Sequence, residues 1–506
     1  MQSTTPCGAW WISSWLNAVP TRRLPDATGE RRLRRFFGSH SSIIPEIRRA
    51  EMTSKTVAVI GGGPVGLAAA AHLMERGMTP IVLEAGERAG HAVRQWRHVQ
   101  LFSPWKYNID GAAARLLAST GWNSPDPEVY ATGGELLDYY LDPLATKTPL
   151  KDVIRTSSRV TAISRVGFDK AKTKGRESAP FEIRFQNGKG PEVVRADAVI
   201  DVSGTWSSPN PAGANGLSAI GERDCASRIA YGMPDISGND RERYKGKTVA
   251  VLGAGHSAIG TLADLARLRD ADPSTEVIWL LRGTDPSKAF GGGANDKLVA
   301  RGELGTAFAG LVVNGKIKVE SGFGATHVSA SGERLRIGAG SACCGRHVIV
   351  DELIVATGFR PDLSFLNEMR LRLDSSIEAP VDLAPLIDPN EHSCGTVRPH
   401  GARELRQDEP GLYLAGMKSY GRAPTFLMIT GYEQVRSIAA EIAGDHEAAA
   451  RVELELPETG VCTRGGVESG IASSGCCGGP VPADVNACCA EDANAKSTGK
   501  SGRGCS

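Results

Sequence analysis

The sequence predicts an α/β fold that contains two copies of one strand–turn–helix unit, and two observations support this. An apolar strand runs directly into a glycine-rich turn at residues 57–66, and the same pattern returns at residues 249–258. Each turn is followed by a helical segment rich in alanine and leucine, and then by a second apolar strand. A glycine turn in this context is typical of Rossmann-like units that bind dinucleotides, so we expect two of them in one chain.

The first glycine turn, in TVAVIGGGPVGLAAAAHL, has the spacing that a dinucleotide-binding unit requires. Gly61 permits the tight turn, Gly63 lets the backbone approach a pyrophosphate, and Gly66 lets the helix pack closely on the sheet. The helix N-terminus presents unpaired N–H groups and a positive dipole end to the phosphates. The next strand ends at Glu84, which is placed to bind the hydroxyls of an adenosine ribose. The predicted binding residues here are Gly61, Gly63, Pro64, Val65, Gly66 and Glu84.

The second turn lies in KGKTVAVLGAGHSAIG, and its next strand, EVIWLLRG, ends in Arg282 where the first unit has Glu84. A carboxylate suits a free ribose 2′-hydroxyl, whereas a cation suits a 2′-phosphate. The pattern therefore predicts FAD in the first unit and NADPH in the second; the alternative is that Arg282 is an ordinary solvated arginine. We expect His256 to lie near the pyrophosphate rather than to act as an acid or base. The predicted binding residues here are Gly253, Gly255, His256, Ser257, Ala258 and Arg282.

Two apolar strands, in ADAVIDVSGTWSSPNP and VDELIVATGFRPDLSFL, bracket the second unit. They end at Gly204 and at Thr357–Gly358, which we predict to be cofactor-binding points where the chain leaves and re-enters the first domain. The second unit is then an insertion within the first domain. The predicted segments are an N-terminal extension at 1–51, an FAD domain at 52–205 and 355–450, an NADPH domain at 206–354, and a disordered cysteine-rich tail at 451–506.

The composition excludes several classes of function. The formal net charge is +1, so no strong field favours nucleic acid. No apolar run approaches the ~20 residues needed to span a bilayer. The stretch AWWISSWL has no basic residue before it and fails as a secretion signal, while Met52 followed by TSKTVAVIGGG looks like a natural start. We expect a cytoplasmic protein that lacks a membrane span, and the sequence does not indicate its oligomeric state.

Two further stretches are candidates for the flavin site. WRHVQLFSPWKYN supplies Trp96 and Ser103, which we predict to contact the cofactor. Its aromatic residues are candidates for the wall of a substrate pocket, with core packing as the alternative: Trp96, Phe102, Trp105 and Tyr107. PGLYLAGMKSYGRAPTFLMITGYEQVRS gives a strand, Gly416 and a long helix. The N-terminus of that helix is expected to face the flavin, where negative charge gathers on reduction.

The order GxGxxG, GxGxxA, ATG and G-L-Y-x-A-G resembles the flavoproteins with two dinucleotide-binding domains, and within them the flavin-containing monooxygenases. Residues 96–108 and 416–437 resemble a bacterial branch found with arsenic-resistance genes. Thioredoxin reductases carry Cys-x-x-Cys just before the second unit, whereas IAYGMPDISGNDRERYKGK contains no cysteine. The F-x-G-x-x-x-H fingerprint of better-known monooxygenases is also not evident before Gly253, and Met417 follows Gly416 where disulfide reductases commonly have Asp.

This resemblance implies an enzyme that uses NADPH to reduce FAD. Because the dithiol is missing from its usual place, we expect dioxygen to accept the electrons. One oxygen atom would then pass to a soft nucleophile that carries a lone pair, such as sulfur, nitrogen or trivalent arsenic. No paired-carboxylate or His/Asp constellation stands out, so the sequence assigns no catalytic acid or base.

The tail, SGCCGGPVPADVNACCAEDANAKSTGKSGRGCS, carries two pairs of adjacent cysteines. Neighbouring Cα atoms lie ~3.8 Å apart, below the usual disulfide separation, so such pairs are better thiol ligands than disulfide partners. Trivalent arsenic is soft and binds thiolates. The predicted metalloid ligands are Cys476, Cys477, Cys488, Cys489 and Cys505. Alternatives are a zinc site, which the spacing does not favour, and an inert extension.

Three functions follow from these features. The first is an NADPH-dependent FAD monooxygenase that oxidises trivalent arsenicals to the pentavalent form. The second is a flavin reductase of metal ions or disulfides that uses the tail cysteines. The third is a non-catalytic, thiol-rich metalloid-binding protein, which the intact nucleotide motifs disfavour.

Overall fold

A computed structural model of the chain describes residues 54–291, 299–340, 345–390, 397–424 and 426–454. The predicted extension at 1–51, Cys343–Cys344 and the tail cysteines lie outside these residues. The first sheet contains five parallel strands in the order β18-β9-β1-β2-β5. Its strands are β1 (Thr56–Ile60), β2 (Thr79–Leu83), β5 (Ile154–Arg155), β9 (Ala198–Asp201) and β18 (Leu412–Leu414).

Helices cover one face of this sheet and a small antiparallel sheet covers the other. The helices are α1 (Pro64–Glu75), α3 (Gly111–Ala118) and α11 (Met428–Ala443). The antiparallel strands are β6 (Arg159–Arg165), β7 (Phe181–Asn187) and β8 (Gly190–Ala196). Each face therefore has its own apolar core: Leu67 and Val435 belong to the helical side, and Ile183 and Leu414 to the other. Because β1 is buried on both faces, it is a continuous apolar run rather than an alternating one.

The second sheet also has five parallel strands, in the order β10-β17-β11-β12-β13. Its strands are β10 (Ile229–Tyr231), β11 (Thr248–Leu252), β12 (Glu276–Leu281), β13 (Lys318–Ser321) and β17 (Glu352–Val355). Its outer layers are helices α7 (His256–Ala271) and α8 (Val299–Val313) and an antiparallel sheet of β14 (Ala325–Ser331), β15 (Arg334–Ala339) and β16 (Arg346–Val350).

Short elements connect these layers. They are α2 (His91–Gln95), β3 (Gln100–Pro104), β4 (Tyr130–Thr132), α4 (Gly133–Leu136), α5 (Asp142–Lys147), α6 (Arg241–Tyr244), α9 (Ala384–Ile387), α10 (Ala402–Leu405) and α12 (His446–Ala450). All strands of the second sheet lie between β9 and β18 in sequence, while those two strands are neighbours in the first sheet. The predicted α/β fold with two Rossmann-like units is therefore confirmed; the exact domain bounds stay a prediction.

A buried ionic cluster joins the antiparallel sheet of the first domain to the segment that precedes β18. Glu409 accepts hydrogen bonds from Nε of Arg165 at 2.9 Å and from Nε of Arg176 at 3.0 Å. Burial alone would raise the pKa of Glu409, but the two guanidinium groups outweigh it and hold that pKa below its ordinary value. The cluster therefore stays ionised and fixes the terminal strand in place.

Candidate active site

The first glycine turn is closely confined by the strands on either side. Gly61 has φ +105°, and a Cβ at this position would lie 2.8 Å from both the carbonyl oxygen of Val202 and the Cα of Ser203. Its N–H donates to the carbonyl of Leu83 at 2.9 Å. Only glycine fits this backbone and this space.

The other two glycines of the first turn differ in their surroundings. A Cβ on Gly66 would lie 1.9 Å from the carbonyl oxygen of Gly61, so the helix approaches the turn too closely for any side chain. A Cβ on Gly63 would meet nothing within 4 Å. Pro64 is the first residue of α1, so the open space beside Gly63 lies at a helix N-terminus. This is the arrangement in which a backbone receives a pyrophosphate.

Glu84 is held within its own turn. One carboxylate oxygen accepts from the N–H of Gly62 at 2.7 Å and the other accepts from the N–H of Gly86 at 2.7 Å. The residue is only 9% exposed. Because each oxygen retains a further lone pair, a ribose hydroxyl could still donate to a carboxylate that is already oriented.

The second glycine turn repeats this scheme with one change. Gly253 has φ +146°, and a Cβ there would lie 2.3 Å from the carbonyl oxygen of Ala356. The indole N–H of Trp279, in β12, donates to the carbonyl of Gly253 at 2.7 Å and so holds the turn against the neighbouring strand. Ala258 replaces the third glycine and is fully buried, whereas Gly255 again faces open space. The second turn thus also leaves room for a pyrophosphate.

The side chains that follow the second turn are accessible. His256 is the first residue of α7 and is exposed, while Ser257 is half-buried. Arg282 is exposed just beyond β12 and donates from Nη1 to the carbonyl of Ala214 at 2.9 Å. Among the described residues, no other acceptor bonds to this guanidinium. Its remaining donors are therefore available to an anion such as a 2′-phosphate.

Aromatic contacts cross the space between the two units. The rings of Phe102, on β3, and His256 meet edge to face with centroids 5.5 Å apart. Trp206 follows β9, stacks on Phe359 at 4.7 Å, and donates its indole N–H to Oε1 of Gln95 at 2.6 Å. The sequence singled out Phe102 as a candidate wall residue and His256 as a binding residue but missed Trp206, Phe359 and Gln95. Their only signal was proximity to Gly204, Gly358 and the WRHVQLF stretch.

The other aromatic-stretch predictions have different outcomes. The Trp96 ring packs over Gly133, where a Cβ would lie 2.6 Å from ring atom Cε3. Ser103 is buried and donates to Oδ1 of Asn108 at 2.7 Å, and that side-chain amide donates back to the carbonyl of Ser103. Trp105 is buried in the helical core of the first domain. Direct cofactor contact by Trp96 and Ser103 remains a prediction, since both already have structural roles.

The two connections between the domains are paired with each other. Gly204 and Gly358 both have positive φ, +69° and +90°. The N–H of Asn210 donates to the carbonyl of Gly358 at 2.9 Å, and the hydroxyl of Thr357 donates to the carbonyl of Asn210 at 3.0 Å. The hydroxyl of Thr357 therefore donates its proton within the contact between the two connections.

Gly416 lies where the terminal strand meets the first turn. It has φ +64°, and a Cβ there would contact the side chain of Val65 at 3.4 Å. Its N–H donates to Oε1 of Gln434 at 2.7 Å, and the amide nitrogen of Gln434 lies 2.8 Å from Nε2 of His400. Burial lowers the pKa of His400, so its ring is neutral and can accept that hydrogen bond. This network fixes Gly416 beside the N-terminal half of α11.

A buried lysine, which the sequence analysis missed, holds three segments of the chain together beside the site. The ammonium of Lys418 lies 3.1 Å from Oδ2 of Asp201 and donates to the hydroxyl of Ser203 at 2.9 Å and to the carbonyl of Asp362 at 2.6 Å. Both charged side chains are fully buried. One cation thus joins both domain connections to the terminal strand. The partners are 215 and 56 residues away in sequence, so no local pattern could reveal them.

The predicted metalloid ligands lie in the tail, outside the described residues. Within the described part of the chain, no group of three or more His, Cys, Asp or Glu side chains is arranged to hold a metal ion. The described ranges include no helix that is long and apolar enough to cross a membrane.

Comparison with known proteins extends these observations. A curated relative, the flavin-containing monooxygenase FMO GS-OX-like 2 of Arabidopsis thaliana, is 24% identical over 258 residues, which are 46% of this chain and 51% of that protein. The chain therefore spans about half the length of the curated relative that it matches. The resemblance to a flavin-containing monooxygenase is supported at this level, whereas nothing in the comparison tests the arsenic-resistance branch.

Solved structures show the same fold. The bacillithiol disulfide reductase Bdr from Bacillus cereus has a TM-score of 0.57 and 21% identity, covering 78% of this chain and 99% of that one. The cadaverine monooxygenase DfoA from Erwinia amylovora, bound to FAD, has a TM-score of 0.53 and 13% identity, covering 83% and 100%. An ornithine N-hydroxylase from Kutzneria sp. 744 has a TM-score of 0.52 and 16% identity, covering 78% and 100%.

The family model described as pyridine nucleotide-disulphide oxidoreductase matches residues 58–393, which include both glycine turns. This match and the open space beside Gly63 and Gly255 support FAD and NADPH as the cofactors. Because the matched residues make up more than half of the chain, the protein belongs to the pyridine nucleotide-disulphide oxidoreductase family and is a flavin-dependent oxidoreductase.

Proposed function

We propose that this protein is an FAD- and NADPH-dependent monooxygenase that converts a trivalent arsenical to its pentavalent form. The observation that carries the proposal is the lack of a cysteine pair ahead of the second turn. Among the described residues the only cysteine is Cys225, which is buried and has no thiol partner. Burial raises its pKa, so it is a poor thiolate donor. Without a dithiol at this place, dioxygen is the electron acceptor that we infer.

The overall reaction balances with one soft substrate. FAD held by the first turn would supply the two-electron transfer from NADPH to dioxygen. The arsenical gains one oxygen atom and loses two electrons, and the second oxygen atom leaves as water with two protons. NADPH supplies the other two electrons as a hydride and leaves as NADP⁺, and the hydride and one solvent proton account for the two hydrogens of the water. A lone pair on trivalent arsenic is the nucleophile for this transfer.

The chain contributes binding, orientation and exclusion of water. Gly63 and Gly255 receive the two pyrophosphates, while Glu84 and Arg282 meet the two riboses. Phe102, Trp206 and Phe359 place apolar surface between the turns. Such a surface excludes water, which would otherwise compete with the substrate for the activated oxygen. No side chain needs to act as a strong acid or base, in keeping with chemistry that belongs to the cofactor.

The arsenical substrate is supported by chemistry rather than by geometry. The tail pairs Cys476–Cys477 and Cys488–Cys489 are soft ligands of the kind that trivalent arsenic prefers. We infer that the tail captures the arsenical and delivers it to the flavin. A tethered ligand reaches an effective concentration on the order of millimolar at its site, which would matter most when the free arsenical is scarce.

The test is consumption of oxygen and NADPH by FAD-loaded protein, with and without a trivalent methylarsenical. We expect the arsenical to stimulate both in equal amounts. If the rates are the same with and without the arsenical, the substrate assignment is wrong. If NADPH is consumed without oxygen uptake, the protein is a reductase rather than a monooxygenase.

The delivery role has a separate test. A chain truncated after Leu454, which keeps α12 and the contacts of Arg436 with Arg451 and Glu453, is compared with a full-length variant in which Cys476, Cys477, Cys488 and Cys489 are all replaced by serine. Both are expected to show slower turnover at low arsenical and an unchanged rate at saturation. The serine variant keeps the tail, so it separates loss of the cysteines from loss of the whole tail. If the unaltered protein, the truncated chain and the serine variant turn over at equal rates at low arsenical, the cysteines do not deliver the substrate.

A further inference from the structure

The second nucleotide unit contains a loop, residues 212–219, whose two ends bind to the same buried carboxylate. Glu222 is 3% exposed. Its Oε1 accepts from the N–H of Ala212 at 3.0 Å and its Oε2 accepts from the N–H of Ala219 at 2.6 Å, so it binds both ends of the loop. The hydroxyl of Tyr231 donates to Oε1 at 2.5 Å. Hydrogen bonds to a carboxylate are stronger than those between neutral groups, so these contacts hold the two ends of the loop together.

Burial holds the two ends of the loop but not its middle. Ala212 and Ala219 lie in the apolar core of this domain, whereas Leu217 is 67% exposed and the middle of the loop forms part of the wall of an open cavity of about 430 Å³. Its other attachments are backbone hydrogen bonds, such as the N–H of Ala214 to the carbonyl of Ala325 at 2.9 Å, and the donation from Nη2 of Arg360 to the carbonyl of Gly216 at 3.0 Å. The conformation of the loop between its buried ends therefore depends on polar contacts, of which those to Glu222 are both charged and buried.

This loop carries the group that anchors Arg282. The carbonyl of Ala214, between the two ends that Glu222 holds, accepts from Nη1 of Arg282 at 2.9 Å. A guanidinium is a planar fork, and it binds a phosphate well only when the fork is correctly oriented. A shift of the Ala214 carbonyl would turn the fork, whereas the glycine turn that receives the pyrophosphate would be unaffected.

We propose that Glu222 is a positioning residue for cofactor discrimination, which closes the loop at 212–219 and so orients Arg282 toward the 2′-phosphate of NADPH. The inference rests on the assignment of NADPH to the second turn. It predicts a selective effect, because NAD⁺ lacks the 2′-phosphate and does not need the oriented guanidinium.

The experiment measures dissociation constants of NADP⁺ and NAD⁺ by calorimetry on the FAD-loaded, full-length protein. Glu222→Gln keeps the shape but removes the charge, and an amide N–H₂ then faces the backbone donors. We expect it to weaken NADP⁺ about tenfold and NAD⁺ less than about twofold. Glu352→Gln is the matched control, because Glu352, the first residue of β17, is also a buried carboxylate of the second nucleotide unit but pairs with Arg243 of α6. It should leave both constants nearly unchanged.

A double variant decides whether Glu222 acts through Arg282. In an Arg282→Ala background, Glu222→Gln should cause no further loss of NADP⁺ affinity. Equal weakening of NADP⁺ and NAD⁺, or the same loss with and without Arg282, would overturn the proposal. If Arg282→Ala leaves the ratio of the two affinities unchanged, the cofactor assignment itself is wrong, which separates that failure from failure of the Glu222 role.

Tyr231→Phe keeps the test decisive if the Glu222 variant does not fold. It removes one of the donors to Glu222 and leaves both ends of the loop bound. We expect a selective loss of about threefold for NADP⁺, since one hydrogen bond to a charged group is lost. No change in the NADP⁺ constant of this variant would count against the proposal.

Discussion

The two glycine turns share one backbone scheme but hold their discriminating residues in opposite ways. Glu84 is buried and bonds to Gly62 and Gly86, within its own turn. Arg282 is exposed and bonds to Ala214, which lies 68 residues away in sequence. The first site is therefore fixed locally, whereas the second depends on a remote loop. This difference teaches that selectivity at the second turn can be changed without rebuilding the turn.

The third positions of the two turns differ as well. At Gly66 a Cβ would lie 1.9 Å from the carbonyl oxygen of Gly61, while Ala258 already carries one. The first helix thus approaches its own glycine turn more closely than the second helix does. The closer approach makes the first turn the less tolerant of substitution.

The largest expected effect follows from that closer approach. Gly66→Ala must displace the backbone of the turn, so we expect protein that is poorly soluble or emerges without flavin. Ala258→Gly is the matched change in the second unit and should cost only about 1 kcal/mol in free energy of unfolding. Flavin absorbance and thermal unfolding measure both. Normal flavin content in Gly66→Ala would contradict the close approach.

Exchange of the discriminating residues has the next largest effect. Glu84→Ala leaves the N–H groups of Gly62 and Gly86 without a partner and removes the ribose acceptor, so flavin should be lost on dialysis. Arg282→Ala should raise the KM for NADPH about tenfold while the KM for NADH changes little. Flavin retention by Arg282→Ala is the internal control. A similar rise for both nucleotides would show that Arg282 does not meet the 2′-phosphate.

The contact between the two units should give a smaller effect. Trp206→Phe keeps the stack on Phe359 and removes the hydrogen bond to Gln95, so we expect flavin reduction by NADPH to slow about threefold. Trp122→Phe is the control, since that indole N–H donates to the carbonyl of Tyr139 within the first domain at 2.7 Å. Anaerobic stopped-flow spectroscopy gives both rates. Equal rates would mean that the bond does not position the two units.

The smallest effect is a dependence of stability on pH. Burial holds the pKa of His400 below its ordinary 6.5, against the nearby carboxylates of Glu404 and Glu433. The neutral ring stabilises the folded protein fully above about pH 6.5, and this contribution is lost as the pH falls toward the lowered pKa. We expect the unfolding temperature to fall between pH 7 and pH 5, and to fall less in His400→Gln. An equal fall in both would assign the effect to other groups.

The sequence predicted the parts of this molecule that depend on neighbouring residues. Both strand–turn–helix units follow from glycine spacing, because a positive φ and a close helix leave no other choice at Gly61 and Gly253. The two crossings at Gly204 and Gly358 were also predicted from local pattern. These features are short in sequence and strict in geometry.

The parts that the sequence could not predict depend on distant partners. No local pattern marks Lys418 or Glu222, yet Lys418 is fully buried against Asp201 and Glu222 is only 3% exposed. Trp206 and Gln95 meet only because the chain returns after 111 residues. A buried charge is stabilised by partners that the fold brings together, so its role appears only once the fold is known.

The most direct test of the account compares Gly63→Ala with Gly255→Ala. Neither added methyl group would meet another atom within 4 Å, so both proteins should fold with unchanged thermal stability of the flavin-free form. We predict that Gly63→Ala loses flavin but binds NADP⁺ normally, and that Gly255→Ala keeps its flavin but binds NADP⁺ at least about tenfold more weakly. If Gly63→Ala keeps its flavin, or if Gly255→Ala loses it, the assignment of one cofactor to each turn is wrong.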